Sequence, residues 1–328
     1  MASEYGTAVW SSAEWLERAT EWADRGLAAQ GIARTGPVER ERVRPWAAVL
    51  RMPTDAGTAW LKATGPAVAF ETGLYELLGR VVPERVLRPY AVDAKRGWLL
   101  LPDGGPSLGE RLSGRDLIDA LAAALPQYAR LQRALAEHVP ALLGLGLADM
   151  RPQAMTGRFD EALAAVRARR AGDEPLQAAV EEVAGMRATV SGWCEELAAG
   201  PVPASLDHND LHAQNMLGEP ERVRFYDWGD AVLAHPFATM LALGWLPMAE
   251  ADVIRLRDAY LAEWADLAPR AELVRQLELA CRVGKIARAL TWERAIAASG
   301  PDDVEEDWLK GPAASLASLR EDTWLGRA

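Results

Sequence analysis

The stretch LDHNDLHAQNML, residues 206–217, holds two histidines, two aspartates and two asparagines within twelve positions. Asp210 and Asn215 lie five residues apart within it. A short apolar run, VRFYD, then ends at Asp227, twelve residues after Asn215. Asp210 and Asn215 in a polar loop, and Asp227 at the end of a short strand, supply three oxygen-bearing side chains. We expect these three side chains to lie near one point.

The chemistry of these oxygen atoms indicates a magnesium site beside a proton acceptor. Mg²⁺ prefers oxygen ligands and is often held by few protein groups together with substrate phosphates. Asn215 and Asp227 suit that role, while Asp210 is left to accept a proton from a hydroxyl nucleophile. The stretch also reproduces in full the kinase spacing H-x-D-x-x-x-x-N, followed by a metal-binding aspartate.

A lysine in an apolar strand gives a second, separate signal for the same mechanism. Kinases hold nucleotide phosphates with a strand lysine that a helix glutamate orients. Lys62 stands in the otherwise apolar run AWLKAT, and Glu71 follows nine residues later in a helical pattern. Glu76, on the same helix, is the alternative partner.

The polar residues around this loop have competing interpretations. His208 and His212 are four residues apart, as in the zinc motif H-E-x-x-H, but that motif needs a helix and an intervening glutamate. His208 is expected to brace the loop, and His212 either supports it or contacts a substrate. Asp230 is either a second metal or substrate contact or a helix cap.

Composition narrows the class of protein. The 328 residues include 36 basic and 47 acidic side chains, a net charge of −11, so neither nucleic acid nor an anionic membrane is an expected partner. The acidic balance leans towards a cationic small molecule. Cys194 and Cys281 do not form a disulfide framework, and the first residues lack the pattern of a signal peptide, so a cytoplasmic location is expected. No obligate protein partner can be read from the sequence.

One long uncharged segment raises the question of a membrane span. AVLAHPFATMLALGWLPMA, residues 231–249, carries no Asp, Glu, Lys or Arg. Its length would allow a span, but His235 and two prolines interrupt it. Proline is favoured at the start of a helix, and we therefore predict a buried core helix that begins near Pro236.

The pattern of apolar residues predicts a small sheet followed by many helices. A helix over 11–30 leads into strands around 47–52, 58–64, 86–92 and 97–102, with a helix near 68–81 between them. DGGPS, residues 103–107, is typical of a hinge. Helices are predicted over 114–138, 157–171, 173–199, 236–247, 250–266, 270–298 and 302–325. The fold class is thus α+β, with a small antiparallel-sheet lobe over 1–102 and a larger, mostly helical lobe over 103–328.

Taken together, these residues resemble the aminoglycoside phosphotransferase family of small-molecule kinases. The family's catalytic loop, H-G-D-L-H-x-x-N, is matched by His208, Asp210, Leu211, His212 and Asn215, and its I-D-W segment by Asp227 and Trp228. The resemblance covers residues 32 to 245 and implies a protein-kinase-like bilobal fold. It also implies that the first lobe binds the nucleotide through Lys62 and Glu71, and that LLLPDGG (99–105), with Leu101 and Asp103, contacts the adenine.

The sequence departs from the family pattern in three places. Asn209 replaces the usual glycine, as in relatives that resemble choline kinases, and Tyr226 replaces an aliphatic residue. A G-x-G-x-x-G loop is missing from the sequence, so the phosphate-covering loop is assigned to the irregular TGPVERER, residues 35–42. The acidic run PDDVEED, residues 301–307, is either a helix start or a contact for a cationic substrate.

The expected function is an ATP-dependent, Mg²⁺-requiring transfer of phosphate to a hydroxyl of a small molecule, with GTP as a possible donor. Antibiotics such as aminoglycosides and macrolides, sugars and amino alcohols are all possible acceptors. The alternative is a kinase-like binding module without activity, which the presence of Lys62, Asp210, Asn215 and Asp227 disfavours. A protein kinase is disfavoured because D-F-G and A-P-E are missing from the sequence.

Overall fold

The computed structural model describes residues 5–169, 172, 174–246, 248–297, 304 and 306–321. The chain groups into two compact units, Met1–Gly105 with Arg294–Glu305, and Pro106–Glu293 with Glu306–Ala328. The α+β fold class with its antiparallel sheet is confirmed. The two lobes predicted over 1–102 and 103–328 stay a prediction as functional domains.

The first unit is built on a five-stranded antiparallel sheet. Its helices and strands are α1 (Thr7–Trp10), α2 (Ala13–Ala29), β1 (Glu39–Arg44), β2 (Ala47–Thr54), β3 (Gly57–Thr64), α3 (Phe70–Val81), β4 (Ala91–Asp93) and β5 (Trp98–Pro102). The strand order is β1-β2-β3-β5-β4, so that the central strand β3 has a partner on both sides. Residues on one face of the sheet alternate with those on the other, and Ala59, Leu61 and Ala63 are fully buried.

Helix α2 begins and ends where its sequence predicts. Ser12 caps it by accepting a hydrogen bond from the Trp15 amide (3.2 Å), and Gly31 follows it with a φ of 72°, a conformation that suits glycine. The spacing of Trp15, Ala19, Ala23 and Leu27 buries one face of the helix. That face joins the hydrophobic core formed with the sheet.

The stretch TGPVERER does not form an irregular loop over its whole length, as the sequence had suggested. Its second half lies in β1, which pairs with β2 at the edge of the sheet with a bulge between Arg40 and Arg42. Charged side chains are typical of exposed edge strands, and Glu39 accepts from Arg51 on the neighbouring strand at 3.2 Å. The turn between the two strands falls at Pro45 and Trp46.

The second unit is mostly helical. Its helices and strands are α4 (Leu108–Arg111), α5 (Gly114–Leu135), α6 (Val139–Gly144), β6 (Ala148–Met150), α7 (Pro152–Arg169), α8 (Glu174–Ala184), α9 (Arg187–Ala199), β7 (Ser205–Asp207), β8 (Met216–Leu217), β9 (Arg224–Phe225), β10 (Val232–Ala234), α10 (Glu250–Leu261), α11 (Arg270–Ala297) and α12 (Glu306–Ala317). Single helices were predicted over 173–199 and 302–325. The first is split at Gly185–Met186, and α12 is shorter than its prediction.

The uncharged segment 231–249 begins as a strand and continues as a 3₁₀ helix. Val232–Ala234 forms β10, and Pro236–Trp245 forms consecutive 3₁₀ turns. The predicted buried helix with its start at Pro236 is therefore confirmed, and the helix is of the 3₁₀ type. The His235 ring caps the segment, its Nδ1 accepting from the Phe237 amide at 3.3 Å. Among the described residues, no helix has both the length and the apolar character needed to span a bilayer.

Two antiparallel strand pairs position the loop that the sequence singled out. β7 pairs with β10, with Asp207 opposite Val232, and β8 pairs with β9, with Met216 opposite Phe225. His208–Asn215 therefore leaves the end of one pair and enters the other. Residues 226–231 make the return connection between the same two pairs. Two short ladders thus fix both ends of both connections, which brings the two polar segments together.

Candidate active site

Asp210 lies at the centre of a hydrogen-bonded cluster within the second unit. Its Oδ1 accepts from the Arg288 guanidinium on α11 at 3.0 Å. Its Oδ2 lies 3.2 Å from His212 Nε2 and 3.4 Å from Asn215 Nδ2. The Asp210 side chain is 23% exposed, so it remains accessible to a small molecule.

The surroundings hold Asp210 in its charged form. Burial would raise its pKa, but the hydrogen bond from His212 and the charge of Arg288 outweigh it, and the pKa falls to about 2. The same contact raises the pKa of His212, because the carboxylate stabilises the imidazolium. Asp210 is thus a well-placed hydrogen-bond acceptor whose basicity is low.

Asn209 adopts the left-handed conformation that explains the glycine usual at this position. Its φ is 59°, a region that asparagine tolerates better than most residues. Its side-chain amide donates to Thr291 Oγ1 on α11 at 2.8 Å and to the Asp230 carbonyl at 3.3 Å. Its backbone amide donates to Asp207 Oδ1 at 2.8 Å. The asparagine side chain therefore adds a link between the loop and α11 that a glycine would lack.

His208 contacts both polar connections of the candidate site. It is fully buried and its Nε2 lies 2.9 Å from the Tyr226 carbonyl, one residue before Asp227. Its backbone amide donates to the Tyr128 hydroxyl at 2.8 Å, and its ring packs on Trp228 at 4.6 Å between centroids. Burial lowers the pKa of His208, so the neutral ring is favoured.

Asn215 and Asp227 lie on the two sides of the base of the β8–β9 hairpin. The Asn215 carbonyl accepts from the Tyr226 amide at 3.2 Å, which places the residue beside Asp227 in space. The Asn215 side-chain nitrogen donates to the Asp210 carbonyl at 2.9 Å, and this orients the side-chain oxygen as the remaining donor atom for a cation. Asp227 has a φ of 59° and a ψ of 62°, which is a left-handed backbone near the start of the 226–231 connection.

The donor set fits Mg²⁺ better than zinc. One amide oxygen and one carboxylate match a cation that keeps several waters and binds substrate phosphates. Groups of three or more His, Cys, Asp or Glu side chains that could hold a metal ion are absent from the described part of the chain. The zinc alternative for His208 and His212 therefore gains no support, since structural zinc sites use four such ligands.

Lys62 and Glu71 form a close ion pair within the first unit. Lys62 Nζ lies 2.8 Å from both carboxylate oxygens of Glu71. The Glu71 side chain is 2% exposed and that of Lys62 is 16% exposed. The alternative partner, Glu76, is exposed on the far side of α3. The register of β3 puts Lys62 between Val49 and Leu99 on its neighbouring strands, which fixes the base of its side chain.

Leu101 and Asp103 lie at the end of the paired region of β3 and β5, one within β5 and one just after it. Leu101 lies opposite Trp60, and the Asp103 amide donates to the Thr58 carbonyl at 3.0 Å. The Asp103 carboxylate accepts from Trp60 Nε1 at 3.3 Å and from the Gly105 amide at 3.2 Å. Their assignment as adenine contacts stays a prediction. Most of the acidic run 301–307 lies outside the described residues, so its role also stays a prediction.

Two residues of the site went unnoticed in the sequence. Arg288 contacts Asp210 at 3.0 Å, the Asn209 carbonyl at 2.7 Å and Asp230 at 3.2 Å. The sequence did mark Arg288 as unusual, because it is a charged residue inside the apolar run IARAL, as Lys62 is in AWLKAT. Asp207, the second, is buried behind the loop, and burial raises its pKa to about 7.

Comparison with known proteins decides the family. Residues 38–274 match the family model described as the phosphotransferase enzyme family, APH. The chain belongs to this family. The predicted enzyme class, a phosphotransferase with a small-molecule hydroxyl as acceptor, is confirmed at this level. A comparison with curated protein sequences found no match to this chain.

Solved structures of related fold include enzymes with different acceptors. A macrolide 2'-phosphotransferase type I is 17% identical, with a TM-score of 0.60 over 93% of this chain and 97% of that one. A choline/ethanolamine kinase family protein from Mesorhizobium loti is 21% identical, with a TM-score of 0.55 over 92% and 95%. An ethanolamine kinase from Plasmodium vivax is 11% identical, with a TM-score of 0.64 over 96% and 91%. At these identities the likeness shows the fold alone.

Proposed function

We propose that this phosphotransferase moves the γ-phosphoryl group of ATP to a hydroxyl of a small molecule and requires Mg²⁺. The observation that carries the proposal is the placement of Asp210. It is accessible and ionised, and it lies beside Asn215, whose side chain is oriented by the Asp210 carbonyl. An acceptor hydroxyl and a phosphate-bound cation would therefore meet over one loop.

The reaction needs little covalent chemistry from the protein. The bond between the γ-phosphorus and its bridging oxygen breaks, ADP leaves with that oxygen, and a bond forms from the acceptor oxygen to the phosphorus. The acceptor hydroxyl donates a hydrogen bond to Asp210 and passes its proton there as the new bond forms. A carboxylate of low basicity suits a loose transition state, in which the proton moves late and positioning matters most.

Asn215 and Asp227 are the residues that would hold Mg²⁺. When bound, the cation would neutralise charge on the β- and γ-phosphates. His208 keeps the connection before Asp227 in place through the Tyr226 carbonyl. The protein's own contribution would therefore be one amide oxygen and one carboxylate at the base of a hairpin.

Lys62 would hold the α- and β-phosphates, with Glu71 fixing its direction. The two equal 2.8 Å contacts restrict the ammonium to one place. A nucleotide donor is further supported by a spectinomycin phosphotransferase of related fold, 13% identical with a TM-score of 0.50, whose structure was solved with ADP and spectinomycin. ATP is the proposed donor, and GTP is the alternative to compare with it.

The test is phosphate transfer with Asp210→Asn beside the wild type. ADP release with Mg²⁺ and ATP or GTP would be measured over a panel of aminoglycosides, macrolides, hexoses and amino alcohols. We expect Asp210→Asn to lower kcat by about 10²-fold or more, because a positioned proton acceptor contributes that much, while ATP affinity stays the same. Asp116→Asn, an exposed aspartate on α5, is the matched control. An Asp210→Asn protein with near-normal kcat would refute the assignment, and ATP binding without transfer to any acceptor would favour a binding module.

A further inference from the structure

Arg288 places a fixed positive charge among the carboxylates of the catalytic loop. Its Nη2 donates to Asp210, and its Nη1 donates to the Asn209 carbonyl and to Asp230. The side chain is 14% exposed, and its guanidinium carbon lies 5.9 Å from the centre of the Trp292 ring. Trp292 and Thr291 follow it on the same face of α11, at the spacing of one helical turn. The guanidinium is therefore held by both its contacts and its packing.

The Arg288 guanidinium pairs with the two carboxylates that would otherwise attract a cationic acceptor beside its reacting hydroxyl. Asp210 must receive that hydroxyl under the proposed function, and Asp230 flanks the same loop. Both carboxylates already contact the Arg288 guanidinium, at 3.0 and 3.2 Å. With Arg288 in place, the charges of Asp210, Asp230 and the guanidinium sum to −1 instead of −2. A positive charge about 5 Å from the guanidinium, at an effective dielectric constant of about 20, therefore binds at least roughly a hundredfold more weakly than it would without the arginine.

We propose that Arg288 is a resident cation of the acceptor site and selects against acceptors that carry a positive charge beside the reacting hydroxyl. Neutral or anionic acceptor groups are favoured over cationic ones at this position. The inference rests on the proposed function, since it takes Asp210 as the residue that receives the hydroxyl. The proposal reverses the expectation of a cationic acceptor that the net charge of −11 suggested. Charges more than about 8 Å from the site are largely screened at physiological ionic strength, so the net charge says little about the site itself.

A purely structural role for Arg288 makes a different prediction. If the guanidinium only holds the Asn209 carbonyl and the loop, its removal lowers transfer to every acceptor by the same factor. If it sets the local charge, its removal changes the ranking of acceptors according to their charge. Arg288→Lys separates the two further, because lysine keeps the charge but lacks the planar fork that reaches a carbonyl and a carboxylate together.

The first experiment needs no knowledge of the natural acceptor. Removing the guanidinium by Arg288→Ala leaves Asp210, Asp230 and the Asn209 carbonyl around a space of the right size for a small cation. Ethylguanidinium and choline would be titrated calorimetrically into the wild type and into Arg288→Ala. We expect ethylguanidinium to bind the variant at least about tenfold more tightly than the wild type, which is about 1.4 kcal/mol. Equal affinity for the two proteins, or tight choline binding by the wild type, would overturn the proposal.

Arg282→Ala is the matched control for an arginine-sized space. Arg282 lies on the same helix six residues earlier, and its guanidinium contacts a carboxylate of Glu278 at 2.9 Å. Six residues correspond to a different face of the helix. If this variant gains the same affinity for ethylguanidinium as Arg288→Ala, the binding is generic and the proposal fails. Where Arg288→Ala does not fold, Arg288→Gln serves in its place, because its amide can still donate to the Asn209 carbonyl.

The second experiment measures transfer from Mg-ATP to neutral, anionic and cationic hydroxyl compounds, with glucose, gluconate, choline and kanamycin as probes. We expect the wild type to favour neutral or anionic probes, and Arg288→Gln to shift the kcat/KM ratio towards cationic probes by about tenfold or more. Arg288→Lys should keep the wild-type ranking at a lower kcat. An equal loss for all probes, or a cationic probe as the best wild-type acceptor, refutes the inference and leaves the proposed function standing. The proposed function fails separately if Asp210→Asn transfers phosphate as the wild type does.

Discussion

Lys62→Met tests whether the ion pair of the first unit is held in a buried environment. The variant removes the ammonium that contacts both oxygens of Glu71, whose side chain is 2% exposed. Breaking a buried ion pair by removing one partner costs about 3–5 kcal/mol. Protonation of the carboxylate limits that cost, because a neutral carboxyl group no longer leaves a buried charge.

The upper limit of the stability lost in Lys62→Met follows from the proton affinity of glutamate in water. A glutamate in water releases its proton near pH 4.3, and each pH unit above that point adds about 1.4 kcal/mol to the cost of keeping the proton. The ceiling is therefore about 4 kcal/mol at pH 7 and about 1 kcal/mol at pH 5. In the variant the folded chain binds more protons than the unfolded chain across this range, so its stability falls as the pH rises.

Urea unfolding of the wild type and Lys62→Met at pH 5, 6 and 7 measures this difference, with far-UV circular dichroism as the readout. We expect the loss in unfolding free energy to grow from about 1 kcal/mol at pH 5 towards about 4 kcal/mol at pH 7. A loss that is below about 1 kcal/mol at pH 7, or that is the same at pH 5 and pH 7, would refute the reasoning.

The double variant Lys62→Met with Glu71→Gln separates stability from nucleotide binding. Replacing both partners also removes the Glu71 carboxylate, so most of the lost stability and its pH dependence should be recovered. The affinity for Mg-ATP should stay low, because the charge proposed to hold the phosphates is still missing. Recovery of nucleotide affinity together with stability would show that Lys62 acts only through the fold.

Three further predictions concern the second unit. Asp227→Asn should weaken ATP binding by about tenfold or more in the presence of Mg²⁺ but leave binding without Mg²⁺ unchanged, measured by calorimetry. Asn209→Gly should lower the unfolding free energy by about 1 kcal/mol, because the hydrogen bond to Thr291 is lost. Asn209→Ala should lower it by about 2 kcal/mol, because alanine loses the same bond and is also strained in the left-handed conformation. The opposite order of the two losses would count against the strain argument. Asp207, with a pKa raised to about 7 by burial, retains its proton in the folded chain, so wild-type stability should fall between about pH 4 and pH 7, and Asp207→Asn should flatten that part of the curve in urea unfolding.

The proposed catalytic residues could be singled out in the sequence because their chemistry restricts both residue type and spacing. Asp210, Asn215 and Asp227 lie around one hairpin because short ladders close both ends of the loop. Lys62 was recognisable as a charge inside an apolar strand, and Glu71 as a helix residue within its reach. In each case a local pattern and a chemical requirement indicate the same residue.

The residues that the sequence did not reveal act across long separations. Arg288 contacts Asp210 across 78 positions of sequence, and only the packing of α11 against the loop brings them together. The 3₁₀ form of Pro236–Trp245 was also unreadable, since apolar periodicity does not distinguish it from a short buried α-helix. Edge strand β1 was missed because its charged residues lack an apolar face, although charge is what protects an exposed edge.

The two left-handed residues indicate which contacts hold the candidate site in shape. Asn209 and Asp227 are the non-glycine residues with positive φ in the described part of the chain, and both belong to the polar connections. Such conformations cost about 1–3 kcal/mol each and persist only where the surroundings fix them. Asn209 is fixed by the bonds to Thr291 and to the Asp230 carbonyl, and the residue before Asp227 by His208. The strain therefore lies in the segments that carry Asp210 and the proposed metal ligands, and the contacts that offset it come from α11 and from the buried histidine. A change in either support should loosen the catalytic residues before it unfolds the chain.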